Sequence, residues 1–200
     1  MNSINLNNFG YIEDTLPEDL FLLLLKECEL AEKSNKEMVS DLSGLGVPKH
    51  YWLKDNVQKL HDYLKPFILK YDNSFDYIKD IKMFNNNSKF YLDTPWINVQ
   101  KKYEFVPNHT HDGVFSYTIW MKIPYDINEE LKIGKYASTF EFIYNSIIGT
   151  SFNKIIPVNK NDIGKIIFFP SKLNHCVYPF YTSDDTRISI SGNILFEVNN

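Results

Sequence analysis

A chain of 200 residues with a formal net charge of −4 is not a basic protein, so a general attraction to nucleic acid or to an anionic membrane surface is not expected. Its hydrophobic fraction of 44% is ordinary for a folded domain, while the 16% aromatic content, mostly Phe and Tyr, favours strands over a purely helical fold. Two cysteines, Cys28 and Cys176, cannot build a disulfide framework.

Met1-Asn2-Ser3-Ile4-Asn5 has neither the charged nor the apolar region of a signal peptide. The longest apolar run, Leu20 to Leu25, is too short to span a bilayer. The chain reads as cytoplasmic and as a single domain over residues 1–200, with no internal repeat or linker. Residues 1 to 13 carry alternating apolar positions (Ile4, Leu6, then Phe9, Tyr11) and suggest an edge strand. Pro17-Glu18-Asp19 marks a helix start, and Leu20 to about Lys36 has helical spacing. Ser43 to Pro48 read as a loop by their glycines and proline, and a second helix is expected from about Tyr51 to Tyr71, kinked at Pro66. His50 and His61 have no histidine partner at i+4 and read as structural or surface residues.

From about residue 75 the pattern becomes strand-like. Ile78–Met83, Lys89–Leu92, Trp96–Tyr103, Val114–Ile123, Thr139–Tyr144, Lys154–Val158, Gly164–Phe169, Cys176–Phe180 and Arg187–Val198 are rich in β-branched and aromatic residues. A helical part over 1–75 followed by a β core over 76–200 predicts a mostly β fold, a sandwich or barrel with helices packed outside.

The chemistry concentrates in Pro107-Asn108-His109-Thr110-His111-Asp112-Gly113 and in His175. Residues i and i+2 of a strand share a face, so His109 and His111 can aim two imidazoles at one point, with His175 as a third metal ligand. Metals such as Fe(II) accept imidazole and carboxylate ligands on one octahedral face, leaving positions open for a bidentate cosubstrate and O2. The usual short motif is His-x-Asp or His-x-Glu, and here its third residue is histidine. Two ligand sets follow: His109, His111 and His175, favoured by alternation, or Asp112 in place of His111 if the chain turns at Gly113. In the first set Asp112 can orient an imidazole instead. Arg187 is the only arginine, in a chain whose other basic residues are all lysine. It shares a strand face with Ser189, and the two can hold a carboxylate, the guanidinium bidentately.

The order His109-x-His111, Ser116, Ile123-Pro124-Tyr125-Asp126, then Phe169-Pro170-Ser171, His175-x-Val177-x-Pro179 and Arg187-Ile188-Ser189-Ile190-Ser191-Gly192-Asn193 resembles the 2-oxoglutarate/Fe(II)-dependent oxygenases. Within them it is similar to the prolyl-hydroxylase-like branch of tailed phages and marine bacteria. The resemblance covers roughly residues 90 to 198 and implies a double-stranded β-helix (jelly-roll) core with the metal at its mouth. It further implies Fe(II) on the histidines, and 2-oxoglutarate chelating that iron with its distal carboxylate on Arg187 and Ser189. Asn98 and Asn193 become further cosubstrate-binding candidates, and Trp120, Phe115, Tyr117 and Tyr103 candidate pocket walls. The implied activity is hydroxylation of an unspecified substrate coupled to decarboxylation of 2-oxoglutarate to succinate, with no catalytic side chain beyond the metal ligands. If the gene is phage-borne, the compartment is the host cytoplasm. The rival readings are a non-catalytic jelly-roll binding or virion-assembly module with a vestigial site, and a three-histidine cupin-like dioxygenase or zinc hydrolase. The latter pair leaves the Arg187–Ser189 clamp without a purpose.

Overall fold

The computed structural model describes residues 9–34, 46–80, 88–146 and 148–198. In chain order the elements are β1 (Ile12–Thr15), α1 (Glu18–Glu32), β2 (Lys49–Trp52), α2 (Val57–Phe75), α3 (Tyr77–Asp80), β3 (Ser88–Leu92), β4 (Trp96–Gln100) and β5 (Val106–His109). They continue with β6 (Phe115–Lys122), α4 (Ile127–Ile133), β7 (Thr139–Asn145), β8 (Ser151–Pro157), β9 (Lys165–Pro170), β10 (Asn174–Val177) and β11 (Arg187–Val198). The strands form two antiparallel sheets. The larger runs β1-β9-β6-β11-β4-β2, with β3 also pairing β11, and the smaller runs β5-β10-β7-β8.

Strand alternation sorts the side chains into two cores. Phe115, Tyr117, Ile119 and Met121 of β6, Ile166 and Phe168 of β9, and Ile188, Ile190 and Ile194 of β11 pack with Leu20, Leu24 and Cys28 of α1 and with Leu60, Leu64, Phe67 and Tyr71 of α2. The intervening residues point between the sheets, where Trp120, Ile167 and Phe169 meet Phe140, Phe142, Tyr125 and Phe180. This is the mostly β, jelly-roll layering with N-terminal helices that the sequence predicts. Arg187-Ile188-Ser189-Ile190-Ser191 is alternation written in residues: isoleucines toward the helices, polar side chains toward the space between the sheets.

Several element expectations need correction. Lys49–Trp52 is a strand paired with β4, and the second helix begins at Val57, after Asn56. Glu27 of α1 forces that break, since it accepts the backbone N–H of Lys54 and Asp55 and the Asn56 side chain. Pro66 lies inside α2. Of the expected strand Ile78–Met83, the first part is helical, because Asp76 turns the chain at φ 52° and Asp72 accepts the N–H of Ile78; residues 81–83 lie outside the described residues. Of the expected strand over 1–13, residues 1–8 lie outside the described residues too, and pairing with β9 spans Ile12–Thr15. The stretch expected to hold only strands after Pro124 contains α4, whose start is capped by the Asp126 carboxylate accepting the Asn128 N–H.

Candidate metal centre and cosubstrate cavity

His109 ends β5, and His175 is its direct partner on β10. His111 lies beyond the strand, so alternation is not what aims it. The loop is strapped instead: His111 N–H donates to Ser171 O, Ser171 N–H to Val114 O, and Val114 N–H to Ile194 O. Gly113 makes the turn at φ +94°, and a Cβ there would sit 2.7 Å from Ile194 O, a position only glycine takes without strain.

The three histidines converge, with one ligand atom from each lying within 4.8 Å of the others. His109 Nδ1 lies 2.7 Å from Pro107 O and His175 Nδ1 lies 2.9 Å from Leu173 O. A carbonyl only accepts, so both rings carry their proton on Nδ1 and turn an Nε2 lone pair inward. His175 Nε2 faces His111 Nε2 at 3.2 Å. An ion bonded to two imidazoles at about 2.1 Å each would hold their nitrogens about 3 Å apart. The donor set therefore fits a divalent transition metal, and imidazole suits iron among others.

Burial, and then the charge of His109, pull the His111 pKa down to about 4 and that of His175 down to about 3. Both rings are neutral near pH 7, the form that ligates. His175 is buried between Phe140, stacked at 5.5 Å, and Phe169, edge-on at 5.0 Å. Its neighbour Cys176 faces the other way, toward Glu141 at 3.4 Å. Asp112 is 99% exposed and lies 3.4 Å from Lys172, pointing away from the cluster.

The cluster opens into a cavity of about 410 Å3 between the sheets. All three tryptophans, the only arginine and four of the five histidines line it, and among the described residues no Asp, Glu or Lys does. Asn98 sits in its floor, donating to Ser189 Oγ at 3.2 Å and Ser191 Oγ at 3.0 Å, while Trp96 Nε1 donates to Asn98 Oδ1 at 3.1 Å. Asn193 is on the same strand face but deeper, accepting from Ser116 at 2.8 Å, and is not among the lining residues. Trp120 and Tyr117 line the cavity; Phe115 packs on the helices and Tyr103 is 62% exposed.

Arg187 is only 3% exposed. Nη1 donates to Tyr125 Oη and Ser138 O, both at 3.0 Å; Nη2 donates to Tyr178 O at 2.8 Å and Gln100 Oε1 at 2.6 Å; and Nε donates to Gln100 Oε1 at 3.0 Å. Every partner is neutral. Among the described residues no carboxylate lies within ion-pair distance of the guanidinium. Buried charges ordinarily have a counter-ion, and an anionic ligand in this cavity would provide it.

Sequence reasoning missed His50, Trp52 and Gln100. His50 and Trp52 line the cavity from β2, and burial together with the nearby His109 lowers the His50 pKa. Their signal was hidden because Lys49–Trp52 reads as the start of a helix, whereas pairing with Asn98 and Trp96 puts them at the mouth. No helix among the described residues is long and apolar enough to cross a membrane.

A comparison with curated proteins gives no significant match. Among solved structures, the chain resembles a prolyl-4-hydroxylase from Pseudomonas putida (TM-score 0.59, 14% identity, 92% of this chain and 91% of that one). It also resembles the viral collagen prolyl hydroxylase of Paramecium bursaria Chlorella virus-1 (0.53, 14%, 94% and 96%) and a non-haem α-ketoglutarate-dependent epimerase of nogalamycin biosynthesis (0.56, 12%, 94% and 78%). Identities this low establish the shared fold, and such different activities on one fold leave the substrate open. The family model described as "Putative 2OG-Fe(II) oxygenase" matches residues 94–193, a span that runs from just before β4 into β11 and holds the histidine cluster, Asn98, Arg187 and Ser189. The chain belongs to this 2OG-Fe(II) oxygenase family.

Proposed function

We propose that the protein is an Fe(II)- and 2-oxoglutarate-dependent hydroxylase. Its iron would be held by His109, His111 and His175, and the distal carboxylate of 2-oxoglutarate by Arg187 with Ser189. The observation that carries the reading is the pairing of two features on one cavity: three converging imidazoles and a buried guanidinium that has no carboxylate partner among the described residues. A zinc hydrolase or a three-histidine dioxygenase would use the first and leave the second unexplained.

Bound iron and 2-oxoglutarate would supply the oxidant, with O2 consumed and succinate and CO2 formed; the protein supplies position and shelter. The Pro107 and Leu173 carbonyls fix the tautomers of His109 and His175. Phe140 and Phe169 keep water from His175. Asn98, tied to Ser189 and Ser191, presents a neutral hydrogen-bonding floor along the cavity. Trp52 and Trp96, cross-strand partners, flank the mouth through which a substrate C–H bond would approach the metal. Asn193 would act through Ser116, to which it is bonded, and not by touching cosubstrate.

We treat residues 1–200 as one catalytic domain working in the cytoplasm. We further propose, on the order of its motifs, that it groups with the prolyl-hydroxylase-like enzymes of phages and marine bacteria. The test is direct: purified protein supplied with Fe(II), 2-oxoglutarate and O2 should form succinate, even without a prime substrate. Absence of both metal binding and succinate would favour a jelly-roll binding or assembly module instead.

A further inference from the structure

Five N–H groups belong to the Arg187 guanidinium, and all five have acceptors. Three of them point at Tyr125 Oη and the backbone carbonyls of Ser138 and Tyr178, which are fixed by the fold. The remaining two, on Nε and Nη2, form one edge of the guanidinium, and both go to a single atom, Gln100 Oε1. That edge is the one a carboxylate engages with two oxygens. Gln100 is the last residue of β4, is only 4% exposed, and lines the cavity. Its Nε2 donates to Glu104 O at 2.6 Å, across the short turn that follows the strand. Gln100 is also the cross-strand partner of Arg187, so the arrangement is built into the sheet register.

We propose that Gln100 is a displaceable internal ligand that occupies the distal-carboxylate position of the cavity. Its amide oxygen keeps the edge of the buried guanidinium satisfied and correctly oriented until an anion arrives. A dicarboxylate then takes both N–H groups and adds the missing negative charge, and the Gln100 side chain turns aside. The carboxamide brings no charge of its own, so it holds the position weakly enough to yield. Gln100 thus sets the affinity and the selectivity of the cavity for an acid with a second carboxylate. The inference rests on the reading of the cavity as the 2-oxoglutarate site.

The test is a calorimetric titration of 2-oxoglutarate into anaerobic, metal-loaded protein, with metal affinity measured separately. Gln100→Ala should tighten 2-oxoglutarate roughly three- to tenfold, the size of one net hydrogen bond no longer in competition. Gln100→Glu, which installs a permanent carboxylate beside Arg187, should weaken it at least about tenfold. Metal affinity should stay the same in both. A 2-oxo acid without a distal carboxylate, 2-oxobutanoate, has no need of the Arg187 edge, and its affinity should not respond to Gln100→Ala. Wild-type binding of 2-oxoglutarate that neither substitution changes would overturn the displacement while leaving the cofactor reading intact. Failure of the wild type to bind 2-oxoglutarate at all would overturn both.

Discussion

The sharpest test of the site is neutralisation of Arg187. The guanidinium is 3% exposed, donates five hydrogen bonds and has no carboxylate partner among the described residues. If 2-oxoglutarate supplies its counter-charge, Arg187→Gln removes one member of a buried charge pair, which costs about 2–5 kcal/mol of binding. Glutamine keeps some donor capacity, so the lower half of that range applies. At about 1.4 kcal/mol per decade, 2-oxoglutarate should bind about 30- to 300-fold more weakly. Metal binding should hardly change, because none of the guanidinium's partners is a histidine. Folding must be checked first. The Tyr178 carbonyl loses the Arg187 donor, at about 1–3 kcal/mol for a buried group left unsatisfied, whereas Ser138 O keeps the Tyr125 hydroxyl at 3.4 Å; relief of an unpaired buried charge works the other way. Calorimetric titrations of metal and then of 2-oxoglutarate, on variants shown by thermal melts to be folded, separate these effects. Parallel loss of metal and cosubstrate, or an unchanged cosubstrate Kd, would refute the assignment.

Three further outcomes follow from the same geometry. His111→Ala should lose most bound metal while Asp112→Ala keeps it, as the Asp112 carboxylate points to solvent beside Lys172; metal analysis after desalting decides, and the opposite pattern would restore Asp112 as ligand. The pKa values of His111 and His175 lie at about 4 and about 3, below the unfolded value of about 6.5, so the unfolded chain binds protons more readily. Stability of the chelator-treated protein from this source is therefore fully present above about pH 6.5 and is lost as pH falls toward the folded values. Thermal melts from pH 8 to 4 should show the fall, and His175→Phe should flatten it; an unchanged slope in that variant would contradict the account. Gly113→Ala places a Cβ 2.7 Å from Ile194 O at φ +94°, and should cost roughly 1–3 kcal/mol and weaken metal binding by loosening His111. A variant with wild-type melting and metal affinity would show that the strap from Ser171 alone aims His111.

Much of this site is legible in the sequence because β-strands write their two faces in alternate letters. Arg187, Ser189 and Ser191 declare one face and Ile188 and Ile190 the other, and both faces sit where alternation puts them. His111 lies beyond the reach of that rule. It meets His109 and His175 through a glycine turn and three backbone hydrogen bonds to residues far along the chain, and no local pattern encodes them. His50 and Trp52 were hidden for a related reason. A four-residue strand next to a long helix has too few positions to show its period, and only pairing with β4 reveals which way they face. Gln100 carries no signal of its own, since its importance lies in standing opposite Arg187.

The electrostatics of the cavity give the departure from His-x-Asp a consequence. Among the described residues no acidic side chain lines the cavity, and the one permanently charged side chain there is Arg187. Imidazoles ligate in their neutral form, so a divalent ion on them would keep both of its positive charges, where an aspartate ligand would cancel one. With Arg187 the loaded cavity would then carry three formal positive charges, enclosed by Trp52, Trp96, Trp120, Phe140 and Phe169, in a setting where charges are screened far less than in water. A dianion that can chelate at one end and meet Arg187 at the other would relieve both centres at once. With His111 in place of the usual carboxylate, the proposed site would depend more on a doubly charged cosubstrate. A neutral residue such as Gln100, and not an acid, would then be the suitable occupant of the Arg187 edge before that cosubstrate binds.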